Sequence, residues 1–181
     1  MPDALLFVAM LTAVFLLVTC IVFARLRPTY SHWEHTISEL GAVDSPHGHL
    51  VSYGVFLPVG VSLALVALLS VAAHPPIAAL AAAISVGYVV GAVFPCDAGS
   101  PMIGSTRQQL HNLGGAAEYL GGTLSLFAIA EDYGPLFRVA GFVVGVSTVV
   151  LIFESPVRGL AQRIAEACLF IGLAFALATC R

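Results

Sequence analysis

The sequence contains no lysine, so its seven arginines carry all of its fixed positive charge. Charged residues make up only 9% of the chain and the formal net charge is −3, which excludes the basic surface that nucleic acid requires. No Gly/Ser linker, run of like charge or low-complexity tract interrupts the chain, so no boundary divides it into domains. The four cysteines (Cys20, Cys96, Cys168 and Cys180) show no C-x-x-C spacing and no disulfide-framework pattern. Neither H-E-x-x-H nor G-x-S-x-G occurs, so the sequence marks no zincin site and no nucleophile elbow.

What fills the chain is apolar. Hydrophobic residues are 59% of the total and mean hydropathy is +0.98, the composition of a polytopic membrane protein. Six apolar segments of spanning length lie at about 4–24, 50–72, 77–94, 108–130, 137–153 and 160–179. The predicted fold is an all-α, six-transmembrane-helix bundle forming one membrane domain over 1–181, with both termini on one side. No cationic region precedes the first apolar run, and Arg25 and Arg27 follow it, so it reads as a retained first span.

Arginine placement orients the bundle. Arg25, Arg27, Arg107, Arg158 and Arg163 fall with the first, third and fifth connections, against Arg138 and Arg181 on the other side. The positive-inside rule then makes the first face cytoplasmic and puts both termini outside. In the first connection, Ser31 followed by Glu34 fits a capping box and Gly41 a helix stop. A short interfacial helix is therefore expected after the first span, with Trp33, Ile37 and Leu40 on one side and His32, His35 and Glu39 on the other. Ser45-Pro46, Ser100-Pro101 and Ser155-Pro156 read as helix starts, with Ser as N-cap and Pro at the first helical position.

The distinctive polar chemistry gathers on that same face. Between residues 94 and 119 lie Cys96, Asp97, Arg107, His111, Asn112 and Glu118. Arg107, His111, Gly114 and Glu118 share one helix face, and Glu118 sits about 10 Å deeper than His111 at roughly 1.5 Å per residue. An ionisable group at that depth should face the protein interior or a wet cavity. The glycines at 114, 115, 121 and 122 form a small-residue stripe that lets neighbouring helices approach.

Four chemistries fit these residues. His111, Asp97, His35 and Glu39 are candidate ligands for a divalent metal such as zinc, with His47 and His49 as further donors. His111, Glu118, Asp97 and Glu39 are candidate acid–base catalysts, with Arg107, Ser38, Asn112 and Glu154 as substrate-binding residues and Arg107 as an anion holder. Haem would need His111 paired with His47 or His49. Transport or a proton path would use Glu118 and Glu166, with Arg163 one turn from Glu166 as its partner.

The residues ISELG at 37–41, FPCD at 94–97, Arg-x-x-x-His-Asn at 107–112 and GLAQRI at 159–164 resemble the domain-of-unknown-function 998 family, small bacterial and archaeal integral membrane proteins. The resemblance implies a six-helix membrane bundle in a bacterial or archaeal cytoplasmic membrane. On matching positions it points to Ser38, Glu39, Asp97, His111 and Asn112, and it implies no activity. The expected function is a membrane-embedded enzyme acting on a lipid or amphiphile head group, metal-dependent or not. Its expected partners are membrane lipids and a small amphiphilic ligand. The alternative is a non-catalytic binding or transport protein using the same pocket.

Overall fold

The computed structural model describes residues 2–180; Arg181, counted above on the outer face, lies outside them. Six long helices account for most of the chain: α1 (Pro2–Arg25), α2 (Gly48–Ser70), α3 (Pro75–Val93), α4 (Thr106–Tyr133), α5 (Pro135–Ile152) and α6 (Arg158–Thr179). All six are long and apolar enough to cross a membrane, and the described residues include no strand. The chain is a multi-pass membrane protein, as its composition predicts.

Each helix packs against its neighbours in the chain, and α6 closes the ring onto α1. Across the middle, α6 also meets α3 and α4. Leu63, Ile77, Leu80, Ile84, Leu126, Ile129, Leu169 and Leu173 are fully buried there, while Phe7, Leu17, Leu68 and Val146 point outward. Lipid tails are as apolar as leucine, so this burial cannot by itself hold helices together; close packing at small residues does. Gly114 of α4 lies against Val90 of α3, where an added Cβ would come within 2.6 Å of the valine side chain. Gly122 admits Leu169 of α6 in the same way.

One wide π-turn, Ser52–Phe56, interrupts α2. It ends two residues before Pro58, which has no N–H to give and whose ring would collide with the carbonyl four residues back. Widening the preceding turn relieves both problems.

Local structure departs from expectation in two places. The interfacial helix is reduced to a single 3-10 turn at Ser38–Gly41, preceded by turns. Long-range bonds take the carbonyls that such a helix would have used: Arg163 Nη1 donates to His32 O and His35 O, and Arg27 Nη1 to Glu39 O. The Ser31 amide goes to His35 Nδ1, so no capping box closes. Trp33 is exposed, whereas Ile37, Leu40 and also Glu39 are buried. The Ser-Pro pairs likewise do not start helices. The caps are His47, Ser105 and Val157, and only Ser105 uses its side chain, accepting from the Gln108 amide at 3.2 Å.

The three connections on this face are fastened into one cover. Val43 N donates to Cys96 O at 3.1 Å, Cys96 Sγ to Ser38 O at 3.3 Å, and Leu160 N to Trp33 O at 3.0 Å. Arg158 reaches Gly99 O and Ser100 O, and the chain turns there through positive φ at both Gly99 and Ser100. A left-handed serine is costly and persists only where its surroundings hold it.

Candidate functional site

Beneath this cover lies a cavity of about 280 Å³. Ser38 and Ser100 of the cover, Phe56 of α2, Tyr88 of α3, Glu118 of α4, Thr148 of α5 and Glu166 of α6 all line it, so five helices and two connections contribute. Glu118 is twelve residues into α4, which puts it about 18 Å along the helix and near the middle of a hydrocarbon core roughly 30 Å thick.

The deep end of the cavity is a buried hydrogen-bond network. Tyr119 Oη donates to Glu166 Oε1 at 2.8 Å and Tyr88 Oη to Glu166 Oε2 at 2.9 Å. Gln162 Nε2 donates to Tyr119 Oη at 2.9 Å, and Gln162 Oε1 accepts the Ile37 amide of the cover at 2.5 Å. The Glu118 and Glu166 side chains lie against one another, and two carboxyl groups bond to each other only when one of them carries a proton. No N–H or hydroxyl among the described residues donates to the buried Glu118 Oε1. Gly87 makes the arrangement sterically feasible, because a Cβ there would fall on the Glu118 carboxylate.

Nearer the cover, His111 Nδ1 lies 2.9 Å from Phe94 O. A carbonyl only accepts, so Nδ1 carries the hydrogen and the neutral ring presents Nε2 as an acceptor. Asn112 accepts from Gln108 Nε2 at 2.8 Å and donates to Met102 O at 3.1 Å. The wall between α4 and α5 is apolar, formed by Ala116, Leu120, Leu151 and Ile152; of these, Leu120 and Ile152 are also exposed on the outside of the bundle.

The structure therefore gathers His111, Asn112, Glu118 and Ser38 into one cavity, and it places the other sequence candidates elsewhere. Asp97 is a staple of the third connection: Oδ2 accepts the Ser105 amide, and Oδ1 accepts the Ser105 hydroxyl at 2.8 Å and Arg107 Nη2 at 2.6 Å. Those bonds, the Ser105 amide first, hold its pKa below the usual carboxylate value. Arg107 Nε also donates to Pro95 O, so the bonds of the proposed anion holder are made outside the cavity. Glu39 folds back on its own turn, taking the Thr36 amide at 2.8 Å and the Thr36 hydroxyl at 3.1 Å. His35 stacks on Tyr30, and Glu154 is exposed on the fifth connection.

Among the described residues, no three His, Cys, Asp or Glu side chains gather as a metal-ligand group, so His111, Asp97, His35 and Glu39 do not form the set considered for zinc. His47 and His49 line a separate groove with Tyr53 and Pro95, whereas His111 lines the cavity under the cover. Arg163 turns away from Glu166 to the Tyr30 hydroxyl at 2.6 Å. Burial pushes the Cys96 thiol up to about 12, leaving it a packing residue.

Tyr88, Tyr119, Gln162 and Arg158 are the cavity residues that sequence reasoning missed. Gln162 and Glu166 one turn apart in α6, and Tyr119 directly after Glu118, were signals available in the pattern. Nothing distinguishes Tyr88 from a core aromatic until its hydroxyl is seen on Glu166.

The profile of the domain-of-unknown-function 998 family, described as a protein of unknown function, matches residues 10–179. The chain belongs to this family. The match runs from within α1 to the end of α6, so every element that builds the cavity is family sequence. No curated protein and no solved structure is significantly similar to the chain.

Proposed function

We propose that the chain takes a membrane amphiphile into this cavity, with the head group among His111, Asn112 and Glu118 and the tail leaving between α4 and α5. One observation carries the reading: the cavity joins a deep polar end to an apolar wall whose Leu120 and Ile152 are exposed on the outside of the bundle. A water-soluble ligand gains nothing from that wall, whereas an acyl or isoprenoid chain can lie along it and remain in the bilayer. The cavity ends at Glu118 and Leu120 on α4 and Glu166 on α6, and Ser125 beyond them bonds its own helix at Gly121 O. A one-ended cavity favours binding over through-transport. The arginine-rich face is the cytoplasmic one in this reading.

The test is to strip loosely bound lipid with detergent and quantify what each chain retains. Wild type is expected to keep about one amphiphile per chain, and Ala116→Trp, which places a bulky ring at the opening, to keep little. Equal retention by both would overturn the reading.

A second reading, that the bound head group is also chemically transformed, is favoured by the Glu118–Glu166 carboxyl pair. Two carboxyl groups sharing a proton can supply both a general acid and a general base, with His111 nearby as a further proton acceptor. In that case Glu118→Gln binds the amphiphile but no longer converts it. Unchanged product formation by the variant, followed by mass spectrometry of a lipid extract, would remove the enzyme reading.

A further inference from the structure

The third connection is fixed at both ends and free between them. Cys96 O accepts the Val43 amide at 3.1 Å, Cys96 Sγ donates to Ser38 O, and the Asp97 carboxylate closes on Ser105. Residues 98–104 then pass over the cavity, with Ser100 and Met102 in its lining. Side chains of α4 hold one edge of this segment. Asn112 Nδ2 donates to Pro101 O at 3.3 Å and to Met102 O at 3.1 Å, and Gln109 Nε2 to Met102 O at 3.3 Å. The other edge, Gly99 and Ser100, meets α6. Among the described residues, Arg158 is the one side chain from across the cavity that bonds the segment, through Nη1 to Gly99 O at 3.3 Å and Nη2 to Ser100 O at 2.9 Å.

The edge that Arg158 holds is also the strained one. The chain passes through φ +73° at Gly99 and +45° at Ser100. Glycine takes such values freely, but the Cβ of a serine crowds the following carbonyl. Ser100 is only 6% exposed, whereas Ala98, Gly99, Met102, Ile103 and Gly104 around it are exposed.

We propose that residues 98–104 are a lid, which opens the cavity toward the arginine-rich face when Arg158 lets go. Two bonds from a guanidinium hold the edge down against the unfavourable backbone of Ser100. Once they break, the return of Ser100 to an ordinary right-handed or extended conformation favours the raised position. The ends of the connection stay anchored, so Cys96 remains buried. This goes beyond the amphiphile reading: the slot between α4 and α5 admits a ligand from the bilayer, and the lid gives the head-group end a separate entrance from water.

Thr148→Cys supplies the probe, because Thr148 lines the cavity and its hydroxyl bonds only its own helix, at Val144 O. The full chain, stripped of lipid in detergent, is treated with the charged, water-soluble thiol reagent 2-sulfonatoethyl methanethiosulfonate. Added mass is followed with time, and the chain without the new cysteine sets the background. Arg158→Gln is expected to speed labelling at least about tenfold. Ser100→Gly, with Arg158 in place, is expected to slow it about threefold, because glycine adopts the closed backbone without strain. Added to Arg158→Gln, the same change should recover part of the lost protection. A general loosening of the bundle would not give these opposite signs.

Equal labelling with and without Arg158 overturns the lid, as does labelling of Ser100→Gly at the parent rate or faster. If Arg158→Gln does not fold, Ser100→Gly decides alone. No labelling in any variant also overturns it, because no entrance from water then exists. Each of these results leaves the amphiphile retention of wild type against Ala116→Trp untouched. Equal retention there would likewise leave the lid standing.

Discussion

The Tyr119 hydroxyl lies 2.8 Å from Glu166 Oε1 and ties α4 to α6 at the floor of the cavity. Tyr119 also receives Gln162 Nε2, so one phenol completes two buried hydrogen bonds. Removing it leaves a carboxylate oxygen and an amide hydrogen without partners. Tyr119→Phe is expected to lower stability by about 1–3 kcal/mol in reversible unfolding in detergent. Glu118→Gln should behave differently, because an amide can donate to Glu166 without needing the shared proton. An unfolding midpoint at or above wild type is expected for it, and a fall as large as that of Tyr119→Phe would show that the carboxyl pair is not arranged as described.

Two glycines on the cavity wall make an internal control. A Cβ on Gly87 would strike the Glu118 carboxylate, whereas one on Gly115 would meet nothing within 4 Å. Gly87→Ala is expected to cost about 1–3 kcal/mol through overpacking. Gly115→Ala should be neutral or stabilising by up to about 1 kcal/mol, from the higher helix propensity of alanine. Thermal unfolding of the pair side by side checks the position of Glu118 without any ligand.

Acid should loosen the third connection. The Asp97 pKa is lowered from 3.8 in the fold by the Ser105 amide, the Ser105 hydroxyl and Arg107. A depressed carboxylate contributes its stability above the unfolded value and loses it as pH falls through the folded one. Protection of the Ser105 amide from hydrogen exchange, compared at matched intrinsic rates, is therefore expected to hold at neutral pH and to drop below the ordinary carboxylate range. Asp97→Asn should show weak protection at every pH. A pH-independent wild type would mean that the staple does not depend on the charge of Asp97.

Cys96 should be silent to thiol reagents in the folded chain. It is buried and donates to Ser38 O, and burial pushes its thiol up to about 12. Maleimide is expected to label it only after denaturation. Rapid native labelling at neutral pH would show that the cover opens.

The six spans were legible because each is a long apolar run, and in a membrane only a helix can satisfy its own backbone over such a length. Half of the site was legible for a related reason: His111 and Glu118 are polar residues on one helix face in an apolar context, and few positions there can accommodate them. Asp97, Arg107 and Glu39 were read as site residues because they are equally conspicuous. Sequence shows that a group is polar but not which bond takes it, and these three are held within their own connections. The interfacial helix failed for a long-range reason. Arg163, far along the chain, captures the carbonyls of residues 32 and 35, which no local pattern reveals.

The most direct test of the central claim is native mass spectrometry of the chain, wild type against Gly115→Phe. The phenyl ring enters open cavity space instead of a packed contact, so the variant should fold with an unchanged unfolding midpoint. The account predicts one bound amphiphile on most wild-type molecules and none on the variant. A wild-type chain that carries no bound mass, or a variant that carries the same one, would contradict it.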